Sequence, residues 1–379
     1  MWKEIADQIS LVTGETFEIN QRQSVGGGCI NQGYALVGKT NKYFVKLNSA
    51  SQVYMFEAEA LGLKQMVATQ TIRIPKPICY GTAVDCSYIV LEWLDLGGGN
   101  STESWVKMGH QLAAMHQAAP PQPQEELNVG RLNVEGCLEN LQPPNLQPPN
   151  LQPPNLQPDN LQPPNLQPPN LQPPNLQPPN LQPDNLQPPN LQPPNLQPPN
   201  LQPDNLQPLV EMGKFGWNQN NTIGSTPQVN QWMSDWVEFF VEYRLGYQFQ
   251  LARRRSGHFP KQNQLLAVVP KLLDHQPQPS LVHGDLWGGN AAITMAGEPV
   301  IFDPATYVGD REVDIAMTEL FGGFPAAFYR GYNEVWPLEQ GYKRRKNLYN
   351  LYHILNHFNL FGSGYESQAN RMIDQILRD

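Results

Sequence analysis

The chain has 379 residues, of which 34 are acidic and 25 basic, for a net charge of −9. That balance, with no long basic run and a short cluster at Arg253-Arg254-Arg255, weighs against nucleic-acid binding, which draws its energy mainly from phosphate neutralisation. No stretch is apolar for long enough to span a membrane, and the start, Met1-Trp-Lys-Glu-Ile-Ala-Asp7, lacks the apolar core of a secretory signal.

In chain order, residues 1–20 read as a short helix leading into a strand. Strands are expected around Arg22–Val25, Tyr34–Val37 and Tyr43–Leu47, the last two joined by a turn at Gly38–Lys42. Residues 51–68 read as a helix, because Phe56, Ala60, Leu63 and Val67 fall on one face. Pro75 and Pro77 end that pattern, and Ser87–Trp93 reads as an apolar strand. After Gly97-Gly98-Gly99, a helix with Asn100 as N-cap is predicted, burying Trp105, Met108, Leu112 and Met115.

From Asn140 to Asp204 the chain is thirteen tandem copies of Asn-Leu-Gln-Pro-Pro/Asp, with a partial copy to Pro208. Proline there removes amide donors and fixes φ, and one leucine per copy cannot build a core. The segment 140–208 is expected as an extended or disordered surface insertion, or as a ligand for a proline-recognition module. Without it about 310 residues remain, enough for one two-lobed domain. Val229–Leu251 then reads as one aromatic-striped helix, and Leu281–Asp303 as strand, loop, strand, turn and strand. Strands first and helices later suggest an α+β architecture of two lobes: a small β-rich N-lobe over 1–94 and a large, mainly helical C-lobe over 95–379. Cys29, Cys79, Cys86 and Cys137 have neither CxxC nor zinc spacing and read as reduced thiols of a cytoplasmic protein.

The chemistry concentrates in His283-Gly284-Asp285-Leu286-Trp287-Gly288-Gly289-Asn290, followed by Asp303. Phosphoryl transfer needs a carboxylate beside the acceptor hydroxyl and hard oxygen ligands for Mg2+ on the nucleotide phosphates. Asp285 can fill the first role. Asn290 and Asp303 can fill the second if the hairpin turning at Ala296-Gly297-Glu298 brings Asp303 back. This spacing resembles the catalytic and metal-binding loops of aminoglycoside-phosphotransferase-type kinases. Lys46 lies on an apolar strand, where a charge is costly unless paired. Glu59 on the following helix is the expected partner. Glu57 is the competitor, about 200° away around the helix, so both cannot face Lys46. Gly26, Gly27 and Gly28 precede the lysine and would let backbone amides approach phosphate oxygens. By order along the chain, Glu92, Trp93 and Leu94 form the hinge whose backbone receives adenine.

Several strings together resemble the fructosamine-3-kinase and ketosamine-3-kinase family: Gly26-Gly27-Gly28-Cys29-Ile30, Met55-Phe56-Glu57-Ala58-Glu59, Lys214-Phe215-Gly216-Trp217, Pro227-Gln228-Val229-Asn230-Gln231-Trp232, the loop 283–290, Asp303-Pro304-Ala305 and Leu320–Pro325. The resemblance covers nearly the whole chain outside the repeats. It implies a protein-kinase-like fold and ATP- and Mg2+-dependent phosphorylation of the 3-hydroxyl of a ketosamine, free or protein-bound, which makes the adduct unstable and links the family to deglycation. It implies Asp285 as base, Asn290 and Asp303 as metal ligands, Lys46 with Glu59 on the phosphates, Trp287 beside the sugar, and His283 as a structural residue. It also implies a redox-sensitive homodimer through Cys29 as an alternative to a monomer. The insertion at 140–208 departs from the family pattern. A kinase for another hydroxylated metabolite such as an amino sugar, or a non-catalytic scaffold using the repeats, are the competing readings.

Overall fold

Alternation along two strands sets the architecture. In β3 (Lys42–Ser49) Val45 and Leu47 are buried on one face, and Phe44 and Lys46 point to the other. In β5 (Cys86–Glu92) Tyr88 and Val90 share the first face, and Ile89 and Leu91 the second. The computed structural model describes residues 1–26, 30–97, 101–122 and 214–378. The expectations for Gly27, Gly28, Cys29, Asn100, Cys137 and the repeats at 140–208 lie outside those residues.

With β1 (Gln21–Val25), β2 (Gln32–Val37) and β4 (Pro77–Ala83), these strands form an antiparallel five-stranded sheet in the order β1-β2-β3-β5-β4. Helix α1 (Trp2–Thr13) covers the first face with Ile5 and Ile9, and ends at Gly14, whose φ of 73° is left-handed. Helix α2 (Val53–Ala68) covers the second face. Its stripe of Phe56, Ala60 and Leu63 continues into the larger core of the helical half. The described residues therefore belong to one compact unit.

The hinge after β5 runs alongside a hairpin of the helical half, β9 (Ala291–Ile293) and β10 (Pro299–Ile301). Gly97 N donates to Ile293 O at 3.1 Å and Met295 N to Asp95 O at 2.8 Å. Helix α3 (Thr102–Gln117) follows, capped by Ser101, whose Oγ accepts from Ser104 N at 3.0 Å; the cap is one residue later than expected. Beyond residue 213 come a short hairpin, β6 (Asn221–Ile223) with β7 (Thr226–Gln228), and then α4 (Trp236–Phe239), a π-helical turn (Phe240–Gly246) and α5 (Tyr247–Arg254). Helix α6 (Gln262–Leu272), the pair β8 (Pro279–Val282) and β11 (Tyr307–Asp310), and helices α7 (Glu312–Thr318), α8 (Ala326–Val335), α9 (Tyr342–Phe361) and α10 (Glu366–Ile376) complete the fold.

The single helix expected over 229–251 is corrected. Residues 229–235 are extended, with Trp217 N donating to Asn230 O at 2.8 Å and Met233 N to Phe215 O at 2.8 Å. The helix starts only where Asp235 caps it through Glu238 N at 2.8 Å. Trp232 therefore lies off the helix, its Nε1 donating to Asn218 Oδ1. Strand β4 was hidden by Pro75 and Pro77. Pro77 is tolerated because β4 is an edge strand and Pro77 its first residue.

Candidate active site

Lys46 is 6 % exposed, and its Nζ sits between two carboxylates. Glu59 Oε1 on α2 accepts at 2.6 Å, and Asp303 Oδ1 accepts from across the cleft. Burial would lower the lysine's pKa. The Asp303 and Glu59 charges outweigh that and raise it, so the side chain stays cationic. Glu57 is exposed and takes no part, as its place around the helix requires.

The other half of the site is a loop held by its own backbone. His283 is fully buried: its Nδ1 accepts from Asp285 N at 3.2 Å, so Nε2 carries the proton and donates to Phe302 O at 2.9 Å. Burial lowers the pKa of His283, which fits a neutral imidazole with a structural role. Gly284 takes a φ of 79°, and a Cβ there would lie 2.2 Å from Ala305 O; only glycine lets the two loops touch. Asn290 ties the constellation together. Its Nδ2 donates to Asp285 O at 2.8 Å and Asp285 Oδ2 at 3.1 Å, and reaches Asp303 O at 3.5 Å. The β9–β10 hairpin returns the chain, with Phe302 N donating to Asn290 O at 3.0 Å. Asp285, Asn290, Asp303, Lys46 and Glu59 thus meet in one cleft. Desolvation, then the charge of Asp303, pushes the Asp285 carboxyl up to about 7.

The donor set fits a magnesium ion. Asn290 turns its nitrogen toward Asp285, so Oδ1 remains as a hard oxygen donor, and the Asp303 side chain is 42 % exposed to the cleft. Asp303 has a φ of 59°, a left-handed backbone that costs a non-glycine residue about 1–2 kcal/mol.

At the hinge, Glu92 is already engaged. Its amide donates to Lys76 O at 2.9 Å and its carboxylate accepts from Arg73, so its expected part in adenine binding is not available to those groups. The backbone of Trp93 and Leu94 makes no hydrogen bond among the described residues. The Trp93 ring lies under Lys42 Nζ at 3.5 Å. Trp287 is 38 % exposed, two residues after Asp285, and stands edge-on to Phe321, 6.2 Å between centroids. Gly26 is exposed ahead of β2.

Sequence reasoning missed Asp314. It is fully buried on α7 and accepts from His283 N at 2.6 Å, Gly284 N at 2.8 Å and His116 Nε2 at 3.1 Å. Burial opposes its charge, but His116 and the His283 backbone hold its pKa below the usual carboxylate value. The signal was the charged run Asp310-Arg-Glu-Val-Asp314, which is unusual for a buried segment. The rest of that run is structural. His275, Asp310 and Glu312 cluster, but Asp310 accepts from Tyr349 OH at 2.5 Å and His275 Nε2 at 2.7 Å, and Glu312 forms a two-point pair with Arg345.

Comparison with known proteins gives the family. The family model for fructosamine kinase matches residues 1–128 and 204–379. A probable ketoamine kinase of Synechocystis is 47 % identical over 378 residues, covering 100 % of this chain and 97 % of that protein. A chloroplastic protein-ribulosamine 3-kinase of Arabidopsis thaliana is 34 % identical, covering 97 % and 86 %. A crystal structure from Haemophilus somnus 129PT, assigned as a fructosamine-3-kinase, superposes with a TM-score of 0.71 at 25 % identity, covering 100 % and 98 % of the two chains. By sequence over most of its length and by its kinase-like α+β fold, the chain belongs to the fructosamine kinase family.

Proposed function

We propose that the protein transfers the γ-phosphoryl group of ATP to the 3-hydroxyl of a ketosamine, with Asp285 as the base. In the reaction a bond forms between the sugar oxygen and the γ-phosphorus. The bond from that phosphorus to the oxygen bridging to the β-phosphate breaks, ADP leaves, and the hydroxyl proton passes to Asp285. The observation that carries the reading is the convergence of Asp285, Asn290 and Asp303 opposite the Lys46–Glu59 pair. A base near neutrality suits a hydroxyl donor at physiological pH.

Asn290 Oδ1 and the Asp303 carboxylate would hold Mg2+, which when bound neutralises charge on the phosphate oxygens. Lys46, steered by Glu59, would bind the α- and β-phosphates, and the glycine-rich run Gly26, Gly27 and Gly28 is proposed to share in binding them. Trp93 and Leu94 would receive adenine through their backbone, and Trp287 would form one wall of the sugar pocket. The repeats at 140–208 are read as an addition to the family pattern, a reading supported by the family match, which omits 129–203.

The substrate test is ADP release on free fructosamines, glycated protein and aminoglycosides side by side. Turnover on the ketosamines alone is expected; turnover on aminoglycosides alone would contradict the proposal. Among the described residues no helix is long and apolar enough to cross a membrane.

A further inference from the structure

Asp303 sits in a left-handed backbone at φ 59°, and the segment around it is fixed from two sides. On the near side, His283 Nε2 donates to Phe302 O at 2.9 Å and Ala305 N donates to His283 O at 2.9 Å. These bonds belong to the catalytic loop itself. On the far side stands the β6–β7 hairpin, to which the catalytic chemistry assigns nothing. Gln228 Nε2 donates to Ala305 O at 3.0 Å, and Asn221 Nδ2 donates to Thr306 O at 2.8 Å. Both carbonyls lie within three residues of Asp303.

The two donors are themselves oriented. Gln228 is 1 % exposed, its Oε1 accepts from Tyr352 OH at 2.7 Å, and its Nε2 also donates to Asn221 Oδ1 at 2.8 Å. Asn221 Oδ1 accepts a second bond from Asn230 Nδ2 at 2.8 Å. Asn230 in turn accepts from Arg244, which is fully buried in the π-helical turn and has no carboxylate partner among the described residues. A chain of buried amides anchored on a guanidinium that has only neutral hydrogen-bond and ring partners among the described residues is costly to assemble. It ends on the two carbonyls that follow the metal-binding aspartate.

We propose that Gln228 and Asn221 are positioning residues that hold Asp303 in its left-handed conformation and so preset its carboxylate for the divalent cation. The proposal rests on Asp303 being a metal ligand. Outer partners of a ligand commonly change metal affinity about ten- to a hundredfold.

The test is calorimetric titration of the full-length protein with ADP in the presence of Mg2+ and with ADP in EDTA. Gln228→Met keeps the length of the side chain and removes its hydrogen bonds. Asn221→Ser is the second variant, and thermal unfolding shows that each is folded. The expected result is a loss of about tenfold in the affinity gained from Mg2+, with metal-free ADP binding as in wild type. An unchanged Mg2+ gain in the folded variants overturns the proposal. So does an equal loss with and without Mg2+, which would mean a general packing role. Asp303→Ala separates the two layers: if it leaves the Mg2+ gain intact, the ligand assignment fails, and if it abolishes the gain while Gln228→Met does not, only the positioning role fails.

Discussion

Two charged side chains in the cleft face opposite demands. Lys46 keeps its proton because two carboxylates surround it, and Asp285 resists losing its own because burial and Asp303 oppose the charge. If Asp285 is the base, turnover requires its carboxylate, so kcat/KM should rise with pH through about 7 and level off above it. A flat profile between pH 6 and 8 would remove Asp285 from that role. The same shift bears on stability. The folded state binds this proton more tightly than the unfolded chain, so the contribution of Asp285 to stability declines as pH rises from the normal carboxylate range through about 7. Asp285→Asn should therefore melt higher than wild type at pH 8, with the difference shrinking toward pH 4. Lys46→Met removes the cation between Glu59 and Asp303, and a loss of about a hundredfold or more in kcat/KM is expected.

Helices α3 and α8 cross with their backbones touching. A Cβ at Gly109 would lie 2.2 Å from Phe328 O, and one at Gly331 the same distance from Val106 O. Gly109→Ala must push the helices apart, and a loss of about 3 kcal/mol is expected by chemical denaturation. Ser101→Ala should cost about 1 kcal/mol through the lost cap on α3. At this scale the sequence was legible where a local pattern decided the outcome. The stripe of α2 follows from periodicity, the hairpin from Asn290 to Ile301 from its turn at Ala296-Gly297-Glu298, and helix geometry allowed only one of Glu57 and Glu59 to face Lys46. It was not legible where distant segments decided. Trp232 stands at helical spacing ahead of Trp236, yet its neighbours Asn230 and Met233 pair with Trp217 and Phe215 instead. Strand β11 exists because β8 is there to pair with it. Gln228 and Asn230 were visible only as letters of a family motif, because their role depends on Asn221, Ala305 and Arg244 meeting in space.

Across the whole molecule, the residues proposed for catalysis were readable because each carries its chemistry in its side chain, whereas their supports were not. Asp314 lies in a conspicuous charged run, but its partner His116 is 198 positions away, and the two become an anchor only in the fold. The insertion poses the complementary question. Because the family match omits residues 129–203, deleting 140–208 is expected to leave both melting temperature and turnover on a small fructosamine unchanged. A collapse of either would make the repeats part of the working enzyme. The central claim concerns how Asp285 acts within the shared cleft, and one substitution tests it most directly. Asp285→Asn preserves shape and should still bind ADP with Mg2+ at wild-type affinity, while ketosamine-dependent ADP release falls by at least about a hundredfold. Turnover close to wild type in that variant would contradict the account.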